Sequence, residues 1–247
     1  IAADLRRAGQ PVAVRSGLGS GIAFQSVKAG GIDIAIDYSG TLWTQALGRT
    51  DVVPRAAMLA ILRRDLKARH GVTVAASLGF ENAYALAMKR DAAQRLGVKT
   101  ISDLARVAPQ LRLATDLEFQ SRAEWAGLQR AYGLRFARIR AYTPVLMMAA
   151  LGDGSADVIT AYSSDGALST ADVVLLADDR SALPAYDALL VVAPGQDDLA
   201  HRLARYEGRI PVAAMRAANW QADRPQDKRS PADAARWLAA QTGLKGE

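Results

Sequence analysis

The stretch Gly31-Ile32-Asp33-Ile34-Ala35-Ile36-Asp37-Tyr38-Ser39-Gly40-Thr41 alternates apolar and polar residues up to a tyrosine, then passes into small residues. Period two over a short run is the pattern of a half-buried strand, and Gly30-Gly31 ends the element before it. The spacing therefore predicts a strand over 32–38. Outward from it, helix and strand signals take turns. Apolar residues recur at helical spacing from Val52 to Arg69, and His70-Gly71 stops that helix. Val72-Thr73-Val74-Ala75, Tyr84 to Lys89, Ala156 to Tyr162 and Asp172 to Ala177 read as strands. The turn Ser163-Ser164-Asp165-Gly166 follows the third of these. The apolar run from Tyr186 to Ala193 is long enough to cross between two lobes. Helix starts are expected at Ser102 as an N-cap, at Thr115-Asp116-Leu117-Glu118 as a capping box, and at Ser230 before Pro231. The last helix runs through Trp237 and Leu238 to about Gly243, and Gln221 to Ser230 reads as a surface loop. Such alternation is that of an α/β protein.

Composition narrows the function classes. The 247 residues are 50% apolar, enough for a sizeable core and for more than one domain. No run of about 18 apolar residues exists to span a membrane. The chain opens directly on Ile1-Ala2-Ala3-Asp4-Leu5-Arg6-Arg7, which reads as the second half of a helix, so any targeting segment is expected to be absent or removed. With no cysteine, disulfides, thiolate metal sites and cysteine catalysis are excluded. His70 and His201 are too few for a histidine-based metal cluster. The net charge of +6 is spread over arginines read as scattered among acids and alanines, as in 130–140 and 202–209, with no basic stripe interleaved with aromatics. Dispersed charge of this kind means a solvated surface rather than a nucleic-acid interface.

Catalytic motifs are missing. Gly17-Leu18-Gly19-Ser20-Gly21 precedes a helix and is able to hold an anion, but it lacks the lysine of a P-loop and the spacing of a dinucleotide fingerprint. It reads as a turn that needs unusual backbone angles. No Gly-x-Ser-x-Gly elbow occurs. The pairs Asp178-Asp179 and Asp197-Asp198 read as surface charge. The distinctive feature is a set of tyrosines at strand ends: Tyr38, Tyr84, Tyr162 and Tyr186. In an open α/β sheet, ligands gather at strand carboxyl ends, and tyrosines there can present ring faces to one point.

Six segments carry a resemblance to the osmoprotectant-binding proteins of ABC importers, which bind glycine betaine, choline and related compounds. They are Gly31 to Thr41, Gly79 to Ala87, Thr100 to Leu104, Glu118 to Arg122, Asp157 to Gly166 and Leu183 to Tyr186. The resemblance spans about Val12 to Leu244. It implies an aromatic cage for a trimethylammonium group, formed by Tyr38, Tyr84, Tyr162 and Tyr186. A quaternary ammonium has no N–H, so electron-rich ring faces must hold it, at about 0.5–2 kcal/mol per ring. Taken singly, each tyrosine also reads as a half-buried core ring. The resemblance makes Arg122 the partner of a ligand carboxylate; its other reading is a salt bridge with Glu118, i,i+4 on one helix. It makes Thr41 a hydroxyl donor and Asn82 a polar pocket residue. Three features depart from the family pattern. A strand and loop that supply a further ligand contact would precede Ile1. Ala123-Glu124-Trp125 replaces an Asp-Gly pair, and Trp125 either packs in its lobe or approaches the pocket. Glu81 and Ala83 replace asparagine and threonine.

The resemblance implies a two-lobed α/β fold of the type II periplasmic-binding-protein kind with a two-strand hinge. Residues 1–77 and 188–247 would form lobe one and 78–187 lobe two, with the ligand cleft between them. The function it implies is that of an extracytoplasmic solute-binding protein, in the periplasm or on the outer face of the cell membrane. Such a protein delivers glycine betaine or a related betaine to an ABC transporter permease. Choline or a larger betaine is an alternative ligand, and a sensory or permease-fused ligand-binding domain an alternative setting. No enzyme activity, cofactor, metal or nucleic-acid partner is expected.

Overall fold

The computed structural model describes residues 1–244, with Ser20, Pro144 and Val145 described by their backbone; positions 245–247, the end of the expected first lobe, lie outside the described residues. The chain divides into two compact units, Ile1–Glu81 with the chain from Tyr186 onward, and Asn82–Ala185. The strands are β1 (Ile34–Tyr38), β2 (Thr73–Glu81), β3 (Tyr84–Lys89), β4 (Arg112–Thr115), β5 (Arg138–Ala141), β6 (Val158–Tyr162), β7 (Val173–Leu175) and β8 (Asp187–Val192).

In the first unit the strand order is β1-β8-β2, and both pairings are antiparallel. All of β8 is buried, which is why 186–193 reads as an unbroken apolar run: a central strand covered on both faces has no polar side. Strand β1 departs from the simple apolar-in, polar-out alternation. Ile36 is 50% exposed, whereas Asp37 is 1% exposed. The Asp37 carboxylate accepts the Tyr38 N–H at 2.8 Å, so the buried charge is spent on fixing the strand end. On β2, the N–H groups of Gly208 and Ile210 donate to Ser77 and Leu78 carbonyls, both at 2.8 Å, and the Glu207 carboxylate accepts the Ser77 N–H at 2.9 Å. This segment lies so close that Gly79, at φ +103°, has no room for a side chain: a Cβ there would stand 2.9 Å from the Gly208 backbone. The core below the sheet includes Ala76, Leu78, Leu190, Val192, Leu203 and Tyr206. The helix Arg55–His70 ends at Gly71 with φ +68°, as its sequence signals.

The second unit holds a sheet of order β5-β4-β6-β3-β7. Strand β4 is parallel to β5 and β6, while β3 is antiparallel to β6 and β7. Successive side chains point to opposite faces. Leu86, Met88, Leu113 and Val158 therefore pack on the side of the helices Ile101–Val107 and Ala123–Tyr132, around Leu104 and Leu128. Ala87, Ala114 and Ile159 pack on the other side, against Met147, Ala150 and Leu151 of the helix Pro144–Asp153.

Several local expectations are corrected. The N-cap of the helix Ile101–Val107 is Thr100, not Ser102: Thr100 and Asp103 form a reciprocal capping box, and the Ser102 N–H donates to Asp179 instead. Thr115 caps no helix; it ends β4, and Asp116 opens the turn that follows. The helix Val212–Asp223 takes in the first part of the expected loop 221–230. Asp178 is more than surface charge, because it binds the Tyr132 hydroxyl and accepts the N–H groups of Ala182 (3.0 Å) and Leu183 (2.7 Å).

Replacing Gly79 with alanine should lower stability by about 2 kcal/mol or more, since backbone strain and a backbone clash coincide. Urea denaturation checks this, and a midpoint equal to that of the unaltered protein would contradict it.

Candidate ligand site

In the second unit, register decides which side chains meet. Tyr84, the first residue of β3, lies directly across from Tyr162, the last of β6. Opposed residues of an antiparallel pair share a face, and their rings stand 4.6 Å apart between centroids at 35°. The Tyr162 hydroxyl donates to the Tyr84 oxygen at 2.9 Å, and the Tyr84 hydroxyl donates to Asp116 at 2.9 Å. Asp116 follows β4, which runs parallel to β6, so both strands deliver their last residues to one end of the sheet. The other oxygen of Asp116 accepts the N–H groups of Glu118 and Phe119, each at 2.9 Å. That turn sets the Phe119 ring 4.9 Å from Tyr84 and leads to Arg122, which precedes the helix Ala123–Tyr132.

Arg122 has several partners at once. Its guanidinium carbon lies 5.3 Å from the centre of the Tyr84 ring, and it pairs with Glu118 and with Glu124, each at 3.4 Å. The Glu118 pairing foreseen in the sequence therefore exists, but it crosses a short 3₁₀ turn rather than one helix. Tyr84 is 5% exposed and Tyr162 38%. Burial first, then the bonds to Tyr162 and Asp116, push the Tyr84 hydroxyl well above the ordinary tyrosine range, so it stays neutral and donates. The cluster thus offers an accessible tyrosine stacked on a buried one, with a cation beside them and a carboxylate holding the assembly. Asn82 is tied to the turn after β6: its carbonyl oxygen accepts from the Ser164 hydroxyl at 2.6 Å, while the Ala83 N–H donates to Ser163 at 3.0 Å. Trp125 is buried behind Phe119, 5.8 Å ring to ring, and belongs to the core.

In the first unit, Tyr38 is the register partner of Ala188, two residues after Tyr186. The chain around Tyr186 is held by its neighbour. The buried Asp187 carboxylate accepts from Arg55 Nε at 2.9 and 3.0 Å, and the Asp187 N–H donates to the buried Ser39 hydroxyl at 2.9 Å. Asp187 in turn raises the pKa of Arg55. Burial, and secondarily Asp37, raises that of Tyr38, so this phenol is also neutral. Thr41 lines a cavity of about 260 Å³ with Phe24, Gln25, Asp37 and Gln45. The structure therefore gathers Tyr84, Tyr162, Arg122 and Asn82 in one unit and Tyr38, Thr41 and Tyr186 in the other. Sequence reading missed Asp116 and Phe119. An acid immediately after a strand's carboxyl end was the available signal for Asp116, obscured by the resemblance of its neighbours to a capping box. Among the described residues no group of three or more His, Cys, Asp or Glu is placed to hold a metal ion, and no helix is long and apolar enough to cross a membrane.

Comparison with known proteins gives concordant findings. A family model described as the substrate binding domain of ABC-type glycine betaine transport systems matches residues 1–240. The carnitine transport binding protein OpuCC of Listeria monocytogenes is 28% identical over 87% of this chain and 72% of its own length. A glycine-betaine-binding protein of Pseudomonas aeruginosa is 31% identical over 76% of this chain and 64% of its own. A crystal structure of a glycine betaine/carnitine/choline ABC transporter protein superposes with a TM-score of 0.83 at 26% identity, covering 91% of this chain and 84% of that one.

Two measurements test the tyrosine cluster without any ligand. Asp116→Ala removes three hydrogen bonds to a charged acceptor and should cost about 1.5–3 kcal/mol in urea unfolding; an unchanged midpoint would refute its organising role. Because the folded Tyr84 pKa lies above the unfolded value near 10, its contribution is fully present below about pH 10 and is lost as pH rises beyond it. Stability measured from pH 9 to 11 should fall, and Tyr84→Phe should make that fall shallower; an identical slope in the variant would contradict the shift.

Proposed function

The chain belongs to the family of substrate-binding domains of ABC-type glycine betaine transport systems, and from this we propose that it captures glycine betaine or a related carboxylated betaine and hands it to a transporter permease. Its family is one of binding domains, so the chain is not an enzyme. The stacked rings of Tyr84 and Tyr162 beside the Arg122 guanidinium carry the proposal. Rings recognise the trimethylammonium end, which offers no N–H to bond. The guanidinium recognises the carboxylate, for which its planar fork is suited. Both named relatives, for carnitine and for glycine betaine, support a ligand of this class.

In the bound state, Tyr38, Thr41 and Tyr186 from one unit act on the same ligand as Tyr84, Asn82, Arg122 and Tyr162 from the other. The connections near 75–80 and 186–190 serve as the hinge, and closure over the ligand is the event that the permease reads. Three or four rings at about 0.5–2 kcal/mol each, with one charge-assisted pair, are compatible with micromolar affinity. The protein works outside the cytoplasmic membrane, in the periplasm or on the outer face. The Arg122 cation lies beside the Tyr84 ring and pairs with Glu118 and Glu124. A second cation is repelled from that ring until Arg122 turns to the ligand carboxylate. Binding therefore exchanges an internal cation for the ligand's own.

Choline is the second reading, favoured by Asp116, a carboxylate hydrogen-bonded to the cage itself. Isothermal titration with glycine betaine, carnitine and choline separates the two. Arg122→Ala should weaken the carboxylated ligands by about 10- to 100-fold, the worth of a hydrogen bond to a charged group, and leave choline within about threefold. Unchanged betaine affinity in this variant would remove Arg122 from the site. Choline binding tighter than betaine in the unaltered protein would favour the second reading.

A further inference from the structure

We propose that the β5 edge of the second unit carries an oxyanion pocket, apart from the tyrosine cluster, that takes a phosphate group. Strand β5 is the last strand of its sheet and pairs in parallel with β4, Arg138 beside Arg112 and Arg140 beside Ala114. Leu113 and Ile139 point into the core, so the two-residue period puts Arg112, Arg138 and Arg140 on the opposite face. The Tyr142 N–H donates to the Thr115 carbonyl at 2.8 Å, which prolongs the pairing and brings Tyr142 to that face too. The helix Pro144–Asp153 covers Ala114 there, and the turn after it supplies Ser155. Between edge strand and turn lies a cavity of about 140 Å³, lined by Arg112, Arg138, Arg140, Tyr142 and Ser155 among others.

The charge balance of this cavity favours an anion. Arg112 is matched by Asp157, to which it donates twice at 2.9 Å. Ser155 donates to the Asp153 carboxylate at 2.7 Å. Among the described residues the side chains of Arg138 and Arg140 make neither a hydrogen bond nor an ion pair, and both residues are exposed. The expectation that arginines in 130–140 are interspersed with acids fails here: from Trp125 to Gly152 the chain has arginine at 130, 135, 138 and 140 and no Asp or Glu. Charged residues on an edge strand also deter pairing with other chains, but that task needs neither a cavity nor a phenol and a hydroxyl beside the charges. Guanidinium forks match tetrahedral oxyanions. The volume is below the roughly 300–1,000 Å³ of pockets for drug-sized ligands, so the guest is one compact group. Free phosphate and the phosphodiester of an anionic lipid headgroup share this chemistry.

The test uses the whole chain and the double variant Arg138→Gln/Arg140→Gln, both exposed positions. Inorganic phosphate is titrated at low ionic strength by calorimetry, and co-sedimentation is measured with vesicles of phosphatidylglycerol and, as control, phosphatidylcholine. Saturable phosphate binding, weakened at least about tenfold in the double variant, is expected. Retention on phosphatidylglycerol alone, lost in the variant, supports the pocket with the lipid as its source. Equal binding by both proteins, or none in either assay, overturns the proposal and leaves the arginines as edge protection. Glycine betaine affinity should be the same in both proteins, since no pocket residue belongs to the tyrosine cluster; a matching loss of betaine binding would overturn the claim of a separate site.

Discussion

Asp116 is the carboxylate on which the second unit's tyrosine cluster depends. One oxygen accepts two backbone N–H groups and so shapes the turn that carries Phe119 and Arg122. The other accepts the Tyr84 hydroxyl. Charge-assisted bonds of this kind are about twice as strong as neutral ones. A single group thereby couples the end of one strand, the start of another and the cation beside them. Tyr84 relays the constraint to Tyr162 through the hydroxyl pair and the ring stack. The accessible ring is positioned by a buried ring, and the buried ring by a carboxylate.

The first unit uses a similar device with different residues. Asp187 is fixed by Arg55, and its own N–H is fixed by Ser39. Tyr186 and Tyr38 are the chain neighbours of these anchored groups, and the β1–β8 register keeps them at the same end of the sheet. Burial above all, with a nearby acid adding to it, raises the phenol pKa of Tyr38 in one unit and of Tyr84 in the other. A neutral, well-placed ring face suits a cation that offers no hydrogen bond.

Much of this was legible in the chain because it is local. The β3 range is the one its sequence predicts, and Tyr162 ends β6 just before its serine turn. Those boundaries follow from short-range signals: β-compatible residues closed by turn formers. What escaped the sequence depends on distant partners. Asp37 looks like the outward half of an alternation and is buried. The Thr100 cap is the exception, since its reciprocal partner Asp103 is only three residues away and that spacing was there to be read. The bond that the Tyr84 hydroxyl donates to Asp116 joins residues that only the sheet brings together. Likewise, Arg138 and Arg140 gain a cavity only when a helix packs beside their strand.

The central claim is that the tyrosine pair and Arg122 divide a betaine between its two ends. A crystal structure with glycine betaine bound tests it most directly. The account predicts the trimethylammonium group against the faces of Tyr84 and Tyr162, and the carboxylate on Arg122, which has left Glu118 and the Tyr84 ring. A ligand bound elsewhere, or bound with Arg122 still on Glu118 and facing Tyr84, would contradict it.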